Sequence, residues 1–220
     1  IKNFIENLSK SFSGKFVFIS TCSNYGLIPE NDQADENYSL SPLSHYAKSK
    51  VEIEKLILGL KDKVSYSATI LRFATAFGVS PRMRFDLTVN EFTKNMFLGE
   101  SLEVYDPDTW RPYCHTKDFA RIIELVFNSK LKDIYFEVFN AGSNNNNFTK
   151  RGIVEEIQKY VDVKKVTFLE KGNDPRNYKV NFDKIKNLGF DNEISVNEGI
   201  KELVNRLNQD FFRTNFTINT

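Results

Sequence analysis

Tyr46 and Lys50 are the residues in this chain whose types and spacing point most directly to chemistry. Four residues apart on a helix, they share one face. A lysine ammonium beside a phenol favours the phenolate, so the pair could act as a general base toward a substrate hydroxyl. The pattern Tyr-x-x-x-Lys occurs three times, at Tyr46/Lys50, Tyr113/Lys117 and Tyr160/Lys164. The third straddles an expected helix end and strand start, and the second lies in an extended segment before a helix. Only the first sits inside a convincing helix, which opens after Pro42 with Ser44 as N-cap and carries Ile53, Leu56, Ile57 and Leu60 as an apolar stripe.

The elements that would position this pair alternate between strand and helix. An opening helix (Ile1 to Leu8) leads to the short apolar run Phe16-Val17-Phe18-Ile19, which reads as a buried parallel strand. It ends in Ser20-Thr21-Cys22-Ser23-Asn24-Tyr25-Gly26, small hydroxyl residues where open α/β sheets place their ligands. Further strands are expected at Tyr66–Phe73, Leu102–Tyr105, Phe136–Asn140 and Lys165–Leu169, with an extended segment over Trp110–His115. Helices are expected over Leu87–Leu98 with Gly99 closing it, Phe119–Phe127, Thr149–Val161, Asp183–Leu188 and Val196–Leu207. The Asn144-to-Asn147 run reads as a loop without chemistry, Asp118 as a helix cap, and the residues after Gln209 as a frayed tail. The alternation makes the chain α/β with a mainly parallel sheet.

The bulk numbers narrow the function classes. Thirty Lys and Arg against 29 Asp and Glu give no charge argument for nucleic acid or a membrane surface. No apolar run reaches membrane-spanning length. Two cysteines, Cys22 and Cys114, and two histidines, His45 and His115, have no metal-ligand spacing, so no metal is expected, and so few thiols suit the reducing cytoplasm. No Gly-rich phosphate loop is present; the segments around Gly142 and Gly172 lack G-x-x-G-x-x-G spacing.

The strand ending Ser20-Thr21-Cys22-Ser23, then Tyr25-Gly26, Tyr46-x-x-x-Lys50, Leu71-Arg72-Phe73, Arg111-Pro112-Tyr113-Cys114-His115-x-x-Asp118 and Phe139-Asn140-Ala141-Gly142, taken in order, resembles the extended short-chain dehydrogenases/reductases, closest to the NAD-dependent epimerase/dehydratase branch acting on nucleotide sugars. The resemblance implies a Rossmann-like doubly wound parallel sheet with a smaller α/β lobe for the nucleotide sugar, and a chain lacking an N-terminal part that would hold the adenosine and pyrophosphate of NAD. On this reading residues 1–73 and 115–142 form the partial cofactor domain, 74–114 and 143–209 the sugar-nucleotide lobe, and 210–220 a tail.

The resemblance also implies roles. Tyr46 is the catalytic base, Lys50 bonds the nicotinamide ribose, and Thr21 bonds the sugar oxygen whose proton Tyr46 takes. Ser20 and Phe73 join Tyr46 and Lys50 at the cofactor; Ser23, Thr75, Arg111, Asp174 and Arg176 join Thr21 at the substrate, Arg111 on the diphosphate and Asp174 on the ribose. The dehydratases of the family carry an acidic pair after the threonine, where this chain has Cys22 and Ser23, which favours epimerisation through a keto-sugar over dehydration. An NAD(P)-dependent sugar-nucleotide reductase and a non-catalytic binding protein are the alternatives. NADP is not excluded as cofactor, and a homodimer is expected through the first helix and the Tyr46 helix. Arg82 and Arg84 either face the substrate or belong to a solvated loop.

Overall fold

The apolar run after Gly14 becomes β1 (Lys15–Thr21), parallel to β2 (Ser67–Phe73), with Lys15 opposite Ser67 and Thr21 opposite Phe73. β2 is in turn parallel to β6 (Glu137–Ala141). The computed structural model describes residues 2–8, 12–29, 31–162, 165–170 and 176–216, with residues 210–216 in backbone only. β2 is buried from Ser67 to Arg72, as befits a strand flanked on both sides, whereas β1 is continuously buried only at Ser20 and Thr21. Parallel neighbours need a crossover, and the one between β1 and β2 holds a 3-10 turn (Cys22–Tyr25) and α2 (His45–Leu58). Beneath it, α1 (Lys2–Leu8) buries Ile5 among Phe18, Ile57, Tyr66 and Ile70.

A second sheet places β3 (Thr75–Phe77) parallel to β5 (Trp110–His115), and β5 antiparallel to β7 (Asn147–Thr149). A third pairs β4 (Leu102–Tyr105) with β8 (Val166–Leu169) in parallel. Around these, α3 (Thr88–Phe97), α6 (Lys150–Gln158) and α8 (Val196–Phe216) enclose an apolar cluster containing Phe92, Val104, Tyr113, Ile153 and Leu203. On the first sheet, α4 (Thr116–Asn128), α5 (Leu131–Ile134) and α7 (Asp183–Leu188) contribute Phe119, Ile122, Ile134 and Ile185 to a further cluster with Leu71 and Phe139. Among the described residues no helix is long and apolar enough to cross a membrane.

The structure differs from the sequence expectations at four places. The face α2 buries is Ala47, Val51, Glu54 and Ile57, because small and β-branched residues let the helix approach the sheet; Ile53, Leu56 and Leu60 are only half-buried. The helix after Val196 runs to Phe216, past Gln209, through a segment with no Gly or Pro to stop it. The Asn144–Asn146 stretch is a 3-10 turn leading into β7, and its asparagines are structural. Asn146 bonds Val196 N–H and the Ile194 carbonyl, while Asn147 bonds both N–H and carbonyl of Val180. Asp118 does not cap its own helix; fully buried, it pairs with Arg121 and accepts from the Glu193 and Ile194 N–H groups, and the α4 N-cap is His115. Gly99, by contrast, follows α3 at φ 70°, a conformation in which glycine has no side chain to strain.

Candidate active site

Ser44 opens α2 by accepting the Ala47 N–H at 3.1 Å, which sets the helix so that Tyr46 and Lys50 lie along the carboxyl end of β1. Lys50 Nζ donates to the Ile19 carbonyl at 2.7 Å and stands 4.8 Å from the Phe18 ring centre and 5.6 Å from that of Tyr46. Burial lowers the Lys50 pKa, and the Glu54 carboxylate one turn on works against that shift. Tyr46 is 56% exposed and lines a cleft of about 730 Å³ that opens at the ends of β1 and β2. That volume suits a small-molecule site.

The other two Tyr-x-x-x-Lys matches have no such setting. Tyr113 is fully buried in the core while Lys117 bonds Glu202 at the surface, and Tyr160 bonds Asn197, with Lys164 outside the described residues.

Thr21, Ser20, Ser23, Phe73, Thr75, Arg111 and Arg176 all line the same cleft as Tyr46. Thr21 Oγ1 accepts the Ser23 N–H at 3.1 Å, so its own proton can be donated into the cleft. Gly26 closes this turn at φ 72°, where a Cβ would lie 2.0 Å from the Ser41 carbonyl oxygen. Ser23 Oγ bonds Tyr178 Oη at 3.1 Å. Arg111, only 6% exposed, donates to the Trp110 and Arg176 carbonyls and lies 4.7 Å above the Tyr178 ring. The Phe73 ring stacks on Phe119 with centres 3.8 Å apart, a flat apolar wall. Ser20 is differently engaged: its hydroxyl donates to Glu54 and accepts from Asn24 Nδ2. Asp174 lies outside the described residues.

Sequence reasoning missed several residues. Tyr178, Lys150, Leu87, Thr88 and Asp86 also line the cleft, and Arg84 does so as one of two weighed positions; Arg82 borders an adjoining depression. The largest omission is the polar network behind Tyr46. Glu54 and Arg72, both almost wholly buried, form a two-pronged ion pair with the shortest contact 2.8 Å. Asn24 Nδ2 donates to Glu54 at 2.8 Å, and Arg72 donates to Tyr25 Oη at 3.0 Å and the Glu36 carbonyl at 3.1 Å. Tyr25 Oη donates to Asn140 Oδ1 at 2.7 Å. Burial works against the Arg72 charge, but Glu54 and Tyr25 together outweigh it and leave the guanidinium more firmly protonated than usual. The signal was there in the spacing, since Tyr46, Lys50 and Glu54 repeat every four residues.

A parallel sheet with a crossover helix, and a cleft at the strands' carboxyl ends lined by Tyr46 and the strand-end Thr21, define a Rossmann-like α/β fold. The sequence model of the NAD dependent epimerase/dehydratase family matches residues 2–142, and the chain belongs to that family. The dTDP-glucose 4,6-dehydratase of Streptomyces niveus is 28% identical over 91% of this chain and 59% of its own length. Among solved structures, the UDP-glucose 4-epimerase of Thermotoga maritima with UDP-glucose superposes with a TM-score of 0.81 at 25% identity, covering 94% of this chain and 67% of that one. The UDP-glucuronic acid 4-epimerase of Bacillus cereus, with UDP-glucuronic acid and NAD, reaches 0.82 at 23% identity over 94% and 66%. The chain spans about 60% of the length of the curated relatives it matches.

Proposed function

We infer that the complete protein is an NAD(P)-dependent nucleotide-sugar epimerase, and the observation that carries this is that Thr21, Tyr46, Arg111 and Arg176 line one cleft while Lys50, bonded to the Ile19 carbonyl, stands beside the Tyr46 ring. The residues present fit the nicotinamide end of the cofactor. Lys50 is fixed at the end of β1 and keeps further N–H groups for ribose hydroxyls, and Phe73 offers an apolar wall. NAD(P), when bound, supplies a hydride acceptor and donor for a sugar carbinol carbon.

The chain's own residues do the proton work. Thr21 donates a hydrogen bond to the reacting sugar oxygen, and Tyr46 takes that oxygen's proton and later returns it. Lys50 holds positive charge beside the tyrosine ring. Arg111, kept rigid by two backbone carbonyls and the Tyr178 ring, suits a diphosphate.

Epimerisation is favoured over dehydration because elimination of water needs an acid to protonate the leaving hydroxyl. Beside Thr21, Cys22 is buried with its thiol on the Arg72 carbonyl, and Ser23 is no acid. Among the described residues the carboxylate lining the cleft is Asp86, which its hydrogen bonds to Arg84 hold below the usual range, so it stays ionised. In this reading residues 1–73 and 115–142 serve the cofactor and 74–114 and 143–209 the sugar nucleotide. The protein pairs as a homodimer through α1 and α2 and works in the cytoplasm, where its two buried thiols stay free. Incubating the complete protein with NAD and UDP-glucose should yield UDP-galactose, resolved by proton NMR. Recovery of a 4-keto-6-deoxy sugar would replace epimerase with dehydratase.

A further inference from the structure

Ser20 borders the cleft beside Thr21, yet it is only 2% exposed and its hydroxyl is already occupied. Its proton goes to Glu54 Oε1, and its oxygen accepts Asn24 Nδ2 at 3.1 Å. A serine hydroxyl has one proton, so none remains to donate to a cofactor or a sugar. The strand register shows what the bond to Glu54 joins. Ser20 stands opposite Arg72 across β1 and β2, and the next pair along, Thr21 opposite Phe73, lines the cleft. Glu54 bonds both side chains of the deeper pair, accepting from Ser20 and, at 2.8 Å, from Arg72 Nη2. One turn earlier on α2, Lys50 donates to the Ile19 carbonyl at 2.7 Å. Thus α2 is tied to β1 at two consecutive residues, Ile19 and Ser20, and the residue that follows them is Thr21.

We propose that Ser20 is a positioning residue: through its bond to Glu54 it fixes the end of β1 against α2, and so sets the spacing of Thr21 and Tyr46 across the reacting oxygen. This rests on the nucleotide-sugar epimerase reading of the cleft. Thr21 and Tyr46 must both reach one sugar oxygen, and hydrogen-bond distances tolerate only about half an ångström. The two residues belong to different elements, so their spacing is only as exact as the seat of α2 on β1. The apolar part of that seat is non-directional and does not by itself stop the helix sliding. Lys50 makes its tie through a flexible four-carbon stem. Ser20 makes the stiffer one, with a side chain of one carbon and an oxygen, to a carboxylate that Arg72 and Asn24 already hold.

Ser20→Ala in the complete protein removes this tie and leaves the Glu54–Arg72 ion pair whole, while Ser20→Thr keeps the hydroxyl. Steady-state kinetics with UDP-glucose, run well below the melting temperature of each variant, and calorimetric titration with NADH test the role. Ser20→Ala should lower kcat by about 10–10²-fold, the cost of an ångström-scale misplacement. Its KM for UDP-glucose and its Kd for NADH should stay within about twofold of wild type, because no contact to either ligand is removed. Ser20→Thr should keep most of the wild-type kcat. A Ser20→Ala enzyme with wild-type kcat would overturn the positioning role, as would equal losses in the two variants, since the hydroxyl would then not be what matters. A weakened NADH affinity at unchanged kcat would overturn it too and make Ser20 a cofactor ligand. All three results leave the epimerase reading intact. If the wild type does not interconvert UDP-glucose and UDP-galactose, that reading falls and takes this one with it.

Discussion

Thr21, Tyr46 and Lys50 divide one task by their surroundings. Lys50 is pinned to the Ile19 carbonyl and shielded by Phe18, so it stays put while Tyr46, more than half exposed, faces whatever enters the cleft. Thr21 is held by the backbone N–H it accepts, and its hydroxyl still has a proton to donate. If this division is right, Tyr46→Phe in the complete protein should cut kcat by about 10²–10⁴, the range for loss of a general acid–base group, with KM for UDP-glucose little changed. Thr21→Ser should retain most activity and Thr21→Val should lose it, since only the hydroxyl is asked to act. Steady-state kinetics on the three variants decide the matter. A Tyr46→Phe enzyme of wild-type kcat would remove the tyrosine from the chemistry.

Among the elements, α2 matters most, and its seat is partly polar. Ala47, Val51 and Ile57 give it an apolar face, but Glu54 sits in the middle of that face and locks onto Arg72 of β2, Ser20 of β1 and Asn24 of the 3-10 turn. A buried pair broken on one side leaves a bare charge, so Glu54→Ala should cost about 3–5 kcal/mol in urea unfolding, whereas replacing Glu54 and Arg72 together by methionine should cost less than Arg72's partner loss alone. If the double variant were the less stable, the pair would be contributing net stability. The seat also shows where sequence reading runs out. Strand and helix positions were legible because apolar runs and helical periodicity report local burial, and Ser44 and Gly99 because caps have local rules. Glu54 and Arg72 were read past because a charge on a helix face looks solvated until its partner, 18 residues on in a different strand, is known to face it. Asp118 was misread, and the bonds of Asn146 and Asn147 went unseen, for the same reason: their partners lie on the segments around 180 and 195, and no local pattern announces that.

At the scale of the whole molecule, His115 couples β5 and α4 to the distant helix α8. Its ring is fully buried, Nδ1 accepts the Lys117 N–H at 3.2 Å, and Nε2 bonds Glu202 at 2.8 Å. Both contacts are met by a neutral ring carrying its proton on Nε2; a second proton on Nδ1 would oppose the Lys117 N–H and break the cap. The ring has no room to turn away, since Phe77 lies edge-on at 5.4 Å and a Cβ on Gly78 would come within 2.0 Å of Nε2. Burial accordingly lowers the His115 pKa below its ordinary 6.5, and Lys117 and Arg121 push the same way while Glu202 resists. Because the folded pKa is the lower one, the unfolded chain binds the extra proton first. The stability His115 contributes is therefore whole above about pH 6.5 and is lost as pH falls through that value toward the folded pKa. Glu202, whose pKa burial would raise but Lys117 and His115 bring below 4.5, adds a loss of the same sign in a lower window. Melting temperature measured from pH 7.5 down to 5.5, a window chosen to bracket an ordinary histidine at about 6.5, should fall more steeply for the wild type than for His115→Asn, which has no imidazole to titrate. Parallel curves for the two proteins would show that His115 takes its proton as easily folded as unfolded, and that the contact between α4 and α8 is not sensitive to pH.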